Sequence, residues 1–194
     1  MRNIHMCDTY GQYLHMKPEI DAAMQDVIKS TQFIKSGKTL EFEDQLAEYV
    51  DAHVTGCGNG TDALQIAFMA LDLKPGDEVI TTPFTFISTV EVLALLNLKP
   101  VFVDVLPGTF NMDVSQVEDA ISSQTKAILP VHLYGQCADL ESLLELVEKH
   151  NLFLVEDAAQ ALGTEFIYID GTRKKAGTIG HIGTTSFFPS KNLG

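Results

Sequence analysis

Along most of the chain, short apolar runs alternate with stretches in which apolar residues recur every three or four positions, with turn residues between them. That alternation predicts strands and helices in turn. Pro18 suits the first turn of a helix, and Ile20, Met24, Val27 and Ile28 form one apolar face behind it. A second helix is expected from about Thr39 to Val50, with Glu41, Glu43 and Asp44 near its positive end. Val54-Thr55 reads as a strand and Thr61 to Leu71 as a helix. Lys74-Pro75-Gly76-Asp77 is a turn, Glu78 to Thr81 a strand, Ser88 to Leu96 a helix and Pro100 to Val105 a strand. Asp113, with Gln116 three positions later, makes a capping box for the next helix. Lys126 to Val131 is a strand, Asp139 caps a helix ending near Lys149-His150-Asn151, and Leu152 to Val155 is the next strand. Thr164 to Ile169, a turn at Asp170-Gly171, and Thr184 to Phe188 supply two further strands.

Strand and helix in alternation predict an α/β domain with a largely parallel sheet. The apolar runs are continuous rather than alternating, as a sheet covered on both faces requires. Ligands of such sheets sit beyond the carboxyl ends of the strands. Gly58-Asn59-Gly60-Thr61, Asp157 and Ser186 fall there.

The 194 residues suffice for one domain with a sizeable core, and 45% hydrophobic with 20% charged residues fits a soluble globular chain. Thirteen basic against 26 acidic residues give a net charge of -13. That excludes the broad basic surface a nucleic-acid or anionic-membrane partner needs, though not a local pocket for one phosphate. Cys7, Cys57 and Cys137 are far apart and odd in number, so they read as reduced thiols. No leading signal pattern and no apolar run of the ~20 residues needed to span a bilayer is present, so a cytoplasmic location is expected. His5, His15, His53, His132, His150 and His181 lack metal-ligand spacing, and no metal is expected; His132, after a predicted strand, is kept as a secondary site candidate.

Chemistry concentrates at four places. Glycines and a helix start at Gly58-Asn59-Gly60-Thr61 suit a phosphate, although an ordinary glycine turn with Thr61 as N-cap explains the same residues. Phe84 and Phe86 follow a strand and read equally as core residues or as a ring that stacks on a flat cofactor. Asp157 and Gln160 follow a buried strand, where an unpaired carboxylate is costly and needs a cationic or hydrogen-bonding partner; Glu156 should point to the other side. Lys191 follows a further strand and the turn Pro189-Ser190, with Ser186 just before it. A buried acid and a lysine in this order match the needs of pyridoxal phosphate: the amine forms an imine with the aldehyde, and the carboxylate keeps the ring nitrogen protonated.

Asn59-Gly60-Thr61-Asp62-Ala63-Leu64, Pro75-Gly76-Asp77-Glu78-Val79-Ile80, Val101-Phe102-Val103-Asp104, Leu133-Tyr134-Gly135-Gln136, Glu156-Asp157-Ala158-Ala159-Gln160 and Ser186-Phe187-Phe188-Pro189-Ser190-Lys191 occur in that order. Together they resemble the DegT/DnrJ-type nucleotide-sugar aminotransferases over nearly the whole chain. The resemblance implies the aspartate aminotransferase fold (fold type I): an α/β large domain with a mainly parallel, mixed sheet flanked by helices. It implies Lys191 as the imine lysine, Asp157 as partner of the ring nitrogen and Gln160 as contact to the phenolic oxygen. Gly60, Thr61 and Ser186 become phosphate-binding positions, and Phe86 the stacking ring. Relatives with histidine at the lysine position dehydrate sugars, a branch Lys191 argues against.

The expected activity is amination of a keto group on a nucleotide-linked sugar, with glutamate as donor and a homodimer sharing the site. Family members continue well past the lysine, so residues 1–194 are expected to be the N-terminal part of the large domain, with 1–38 a helical segment and 39–194 the α/β core. A non-catalytic fragment and a fold type I enzyme of other chemistry, such as a cysteine desulfurase, are the alternatives.

Overall fold

The computed structural model describes residues 7–35 and 37–193. His5 lies outside the described residues. The chain divides into two compact units between Gly56 and Cys57.

The first unit holds helices α1 (Thr9–Ser30) and α2 (Lys38–Val50). The first helix does not begin at Pro18: Asp8 accepts a hydrogen bond from the Gly11 N–H at 2.9 Å and starts it nine residues earlier. Pro18 therefore sits inside the helix and removes one N–H from its ladder. No residue of α1 is buried, so the apolar face formed by Met24 and Ile28 stays open. Val54-Thr55 is not a strand. The N–H of Gly56 that follows is taken by Glu43 Oε1 at 2.7 Å, a side-chain partner in place of a strand neighbour.

The second unit is a five-stranded sheet between helices. Its strands are β1 (Glu78–Thr81), β2 (Lys99–Phe102), β3 (Thr125–Ile128), β4 (Phe153–Asp157) and β7 (Ile182–Thr184), ordered β2-β1-β3-β4-β7 with every pairing parallel. Antiparallel pairing occurs in a separate hairpin, β5 (Glu165–Ile167) with β6 (Arg173–Lys175), and at an isolated bridge between Val105 and Met112. Polar β6 carries no apolar run, which is why the sequence pattern passes over it. The helices are α3 (Gly60–Ala70), α4 (Ser88–Leu95), α5 (Val117–Ala120) and α6 (Leu140–His150). Asp139 caps α6 as expected, accepting from the Ser142 N–H at 3.2 Å. The capping box at Asp113 is altered: Gln116 gives its amide to the Asp113 carboxylate at 2.7 Å, and a 3-10 turn precedes short α5.

Adjacent residues of one strand serve opposite faces. Val79, Ala127 and Val155 pack with Leu64, Phe68, Val92 and Leu93 of α3 and α4. Ile80, Ile128 and Leu154 pack with Val117, Leu140, Leu143 and Val147 of α5 and α6. This explains the unbroken apolar runs, since both side-chain directions enter a core. The last strand ends at Thr184, short of the expected Phe188. Beyond it Thr185 bonds back to the Ala158 carbonyl at 3.4 Å, and Pro189-Ser190 form a turn.

Candidate active site

The carboxyl ends of β1, β4 and β7 and the start of α3 meet at one edge of the sheet. Asp157 is the last residue of β4 and 5% exposed. Its Oδ2 accepts from Thr89 Oγ1 at 2.8 Å and its Oδ1 from the Ala159 N–H at 3.2 Å. Among the described residues it has no salt-bridge partner. Burial pushes its carboxyl above the ordinary carboxylate value, against the pull of the Thr89 and Ala159 hydrogen bonds, of the nearby His132 ring and of the Lys191 charge. A carboxylate left in this state gains from a nearby cation.

Lys191 is half-buried, and its N–H bonds to the Phe188 carbonyl at 2.7 Å across the turn. Asn192 ties the same segment to the Leu162 carbonyl at 3.1 Å. The loop after β4 and the loop after β7 are thereby joined, which explains why the Lys191 charge acts on Asp157.

The start of α3 lies against the segment after β7. Asn59 caps the helix, its Oδ1 accepting from the Asp62 N–H at 2.9 Å. The N–H groups of Gly60 and Thr61 have no partner within the helix and point out of its positive end. A Cβ on Gly60 would meet Ser186 Cβ at 2.8 Å and Oγ at 3.2 Å, so only glycine permits this approach. Thr61 Oγ1 lies 2.6 Å from Ser88 Oγ, at the first residue of α4. Gln160 Oε1 accepts from the Tyr134 N–H at 3.0 Å. Tyr134 itself holds a left-handed φ of 56°, rare for a bulky residue and typical of over-determined functional loops. Phe86 is 67% exposed, whereas Phe84 stacks on Phe110 at 5.3 Å.

The pattern of the DegT/DnrJ/EryC1/StrS aminotransferase family matches residues 15–194. The chain belongs to that family. It is 47% identical over 193 residues to a pleiotropic regulatory protein of Geobacillus stearothermophilus, covering 99% of this chain and 50% of the relative. It is 45% identical over 192 residues to UDP-2-acetamido-2-deoxy-3-oxo-D-glucuronate aminotransferase of Pseudomonas aeruginosa, covering 98% and 52%. A solved structure of NtdA from Bacillus subtilis with bound cofactor PMP superimposes with a TM-score of 0.83 at 32% identity, over 91% of this chain and 39% of that one. The chain spans about half the length of the curated relatives it matches. Its fold is that of the aspartate aminotransferase-like α/β large domain.

Two features of this family member went unread in the sequence. Ser88 and Thr89 counted only as helix residues, yet their hydroxyls touch Thr61 and Asp157. Two adjacent hydroxyl residues at a helix start, just beyond a strand end, are the signal that pointed to them. The second is the partner of His132: this secondary site candidate is fully buried and bonds not to Asp157 but to Glu156, Nε2 to Oε2 at 2.8 Å. Its Nδ1 accepts the Ala138 N–H at 3.2 Å, so Nε2 carries the proton. No helix among the described residues is long and apolar enough to cross a membrane, and none of their His, Cys, Asp and Glu side chains group into a metal site.

Proposed function

We propose that this chain carries the cofactor half of a pyridoxal phosphate-dependent aminotransferase that converts a keto group of a nucleotide-linked sugar to an amine. The observation that carries the reading is Asp157: a buried carboxylate with two donors, no ion-pair partner among the described residues, and the Lys191 charge acting on it. The residues present fit the cofactor. The glycine-tight approach of Gly60 to Ser186, at a helix start, suits a phosphate, with Thr61 adding a hydroxyl. Exposed Phe86 is free to stack on a flat heterocycle. Gln160, held through its oxygen by the Tyr134 N–H, keeps its amide nitrogen for an anionic oxygen.

When bound, the cofactor supplies an electron sink for the carbanion charge. Asp157 would pair with the ring nitrogen and keep it protonated, which makes the sink effective. Lys191 Nζ would hold the cofactor and would move the proton at the α-carbon of the amino donor. A positioned base of this kind contributes about 10²–10⁴-fold. Glutamate as the donor, a homodimer sharing the site and a cytoplasmic setting belong to the same reading. The nucleotide-sugar substrate is supported by the name of the Pseudomonas aeruginosa relative.

The test is amino transfer from glutamate to a panel of UDP-, GDP- and dTDP-linked keto sugars, read as 2-oxoglutarate formed. Product with one nucleotide series, abolished by Lys191→Ala, is the expected result. Product formed equally by the Lys191→Ala variant would overturn the reading.

A further inference from the structure

Ser88 and Thr89 are neighbours at the start of α4, 7% and 0% exposed. Consecutive helical side chains point about 100° apart, so the two reach in different directions. Ser88 Oγ meets Thr61 Oγ1 at 2.6 Å, at the start of α3. Thr89 Oγ1 meets Asp157 Oδ2 at 2.8 Å, at the end of β4. Behind Thr89, Thr85 Oγ1 lies 2.8 Å away. A carboxylate only accepts, so Thr89 spends its proton on Asp157, and Thr85 must donate to Thr89. The direction of the chain Thr85 to Thr89 to Asp157 is thereby fixed, and it starts one residue from Phe86.

We infer that Ser88 and Thr89 are paired positioning residues: Ser88 aims the Thr61 hydroxyl at the phosphate end of the site, and Thr89 orients the Asp157 carboxylate at the ring-nitrogen end. One helical turn thus sets the spacing between the two polar handles of the ligand. This assignment rests on the cofactor reading above. The titratable groups acting on Asp157 are neutral His132 from the loop after β3 and the Lys191 ammonium from the loop after β7. Neither lies on α4, so a change at Thr89 leaves both in place.

The experiment follows the Asp157 side-chain carboxyl carbon by NMR as pH is varied, in the chain with labelled aspartate and without cofactor. Thr89→Val is near-isosteric but cannot donate; its titration midpoint should rise by about one pH unit, the loss of one hydrogen bond to a charged group. Thr89→Ser restores the hydroxyl and should titrate as the unaltered chain. A Val midpoint that does not move, or a Ser midpoint that moves as far, would overturn the role of Thr89. Ser88→Ala should leave the midpoint in place and weaken both pyridoxal phosphate and inorganic phosphate about fivefold; unchanged affinities would overturn the role of Ser88. The titration requires no cofactor, so the two readings fail separately. A moved midpoint without cofactor binding refutes the cofactor reading, and binding with an unmoved midpoint refutes this one.

Discussion

Glu156 and Asp157 are neighbours on one strand, both buried, and the structure treats them in opposite ways. Glu156 faces the α5 and α6 side. Its Oε2 accepts from His132 Nε2 and the Gly177 N–H at 2.8 Å each, and its Oε1 from the Ile179 and Gly180 N–H groups at 2.7 and 2.6 Å. Burial alone pushes its carboxyl up, but the His132 hydrogen bond and the Gly180 and Gly177 N–H groups outweigh it and hold the carboxyl below the ordinary value. Asp157 faces α4 with two donors, and burial wins. The first carboxylate is saturated and clamps the segment leading into β7. The second retains capacity for a cation. A site, then, is marked less by a buried acid than by a buried acid left short of partners.

Four outcomes break or sharpen this contrast. Glu156→Gln is the largest. Whichever way the amide turns, its nitrogen meets an N–H donor that cannot reverse, so the variant should lose about 3 kcal/mol and melt roughly 6–12 °C lower by calorimetry. An unchanged Tm would show that the clamp is not needed.

Gly60→Ala touches neither carboxylate. Its methyl group would press on Ser186 at 2.8 Å, at a cost of about 1–3 kcal/mol, and should weaken pyridoxal phosphate roughly tenfold in an absorbance titration. Unaltered affinity would remove this approach from the phosphate site.

Acid unfolding follows from the sign of each shift. Glu156 is held below its ordinary value, so its contribution is full above that value and is lost as pH falls through the folded one. Asp157 is raised, so its contribution is full below its ordinary value and is lost as pH rises through the folded one. In Tm measured against pH, Glu156→Gln should flatten the acid limb and Asp157→Asn the opposite one. Identical profiles for both variants would erase the contrast.

Asp157→Asn is the smallest in stability, within about 1 kcal/mol. Thr89 can rotate to accept from the new amide while the Ala159 N–H still finds an oxygen. A large drop in the urea midpoint would make Asp157 as structural as its neighbour.

Much of this was legible in the sequence. The unbroken runs at Val79-Ile80, Ala127-Ile128 and Leu154-Val155 give a sheet covered on both faces, and the family motifs carry Asp157, Gln160, Ser186 and Lys191. What was not legible depends on partners distant in the chain. Polar Arg173–Lys175 becomes a strand only because Glu165–Ile167 pairs with it. Val54-Thr55 has strand-like residues but pairs with no strand among the described residues. Asp8 moves a helix start that Pro18 seemed to mark. Thr89 meets Asp157 across 68 positions, a contact no local pattern encodes.

The most direct test of the central claim, that Asp157 and Lys191 serve one cofactor, is covalent trapping. Pyridoxal phosphate is added to the chain, the mixture is reduced with borohydride, and peptides are mapped by mass spectrometry. A pyridoxyl group on Lys191, lost in Lys191→Arg and weakened in Asp157→Asn, is the predicted result. Labelling spread over surface lysines, with Lys191 no more reactive than Lys74 or Lys126, would contradict it.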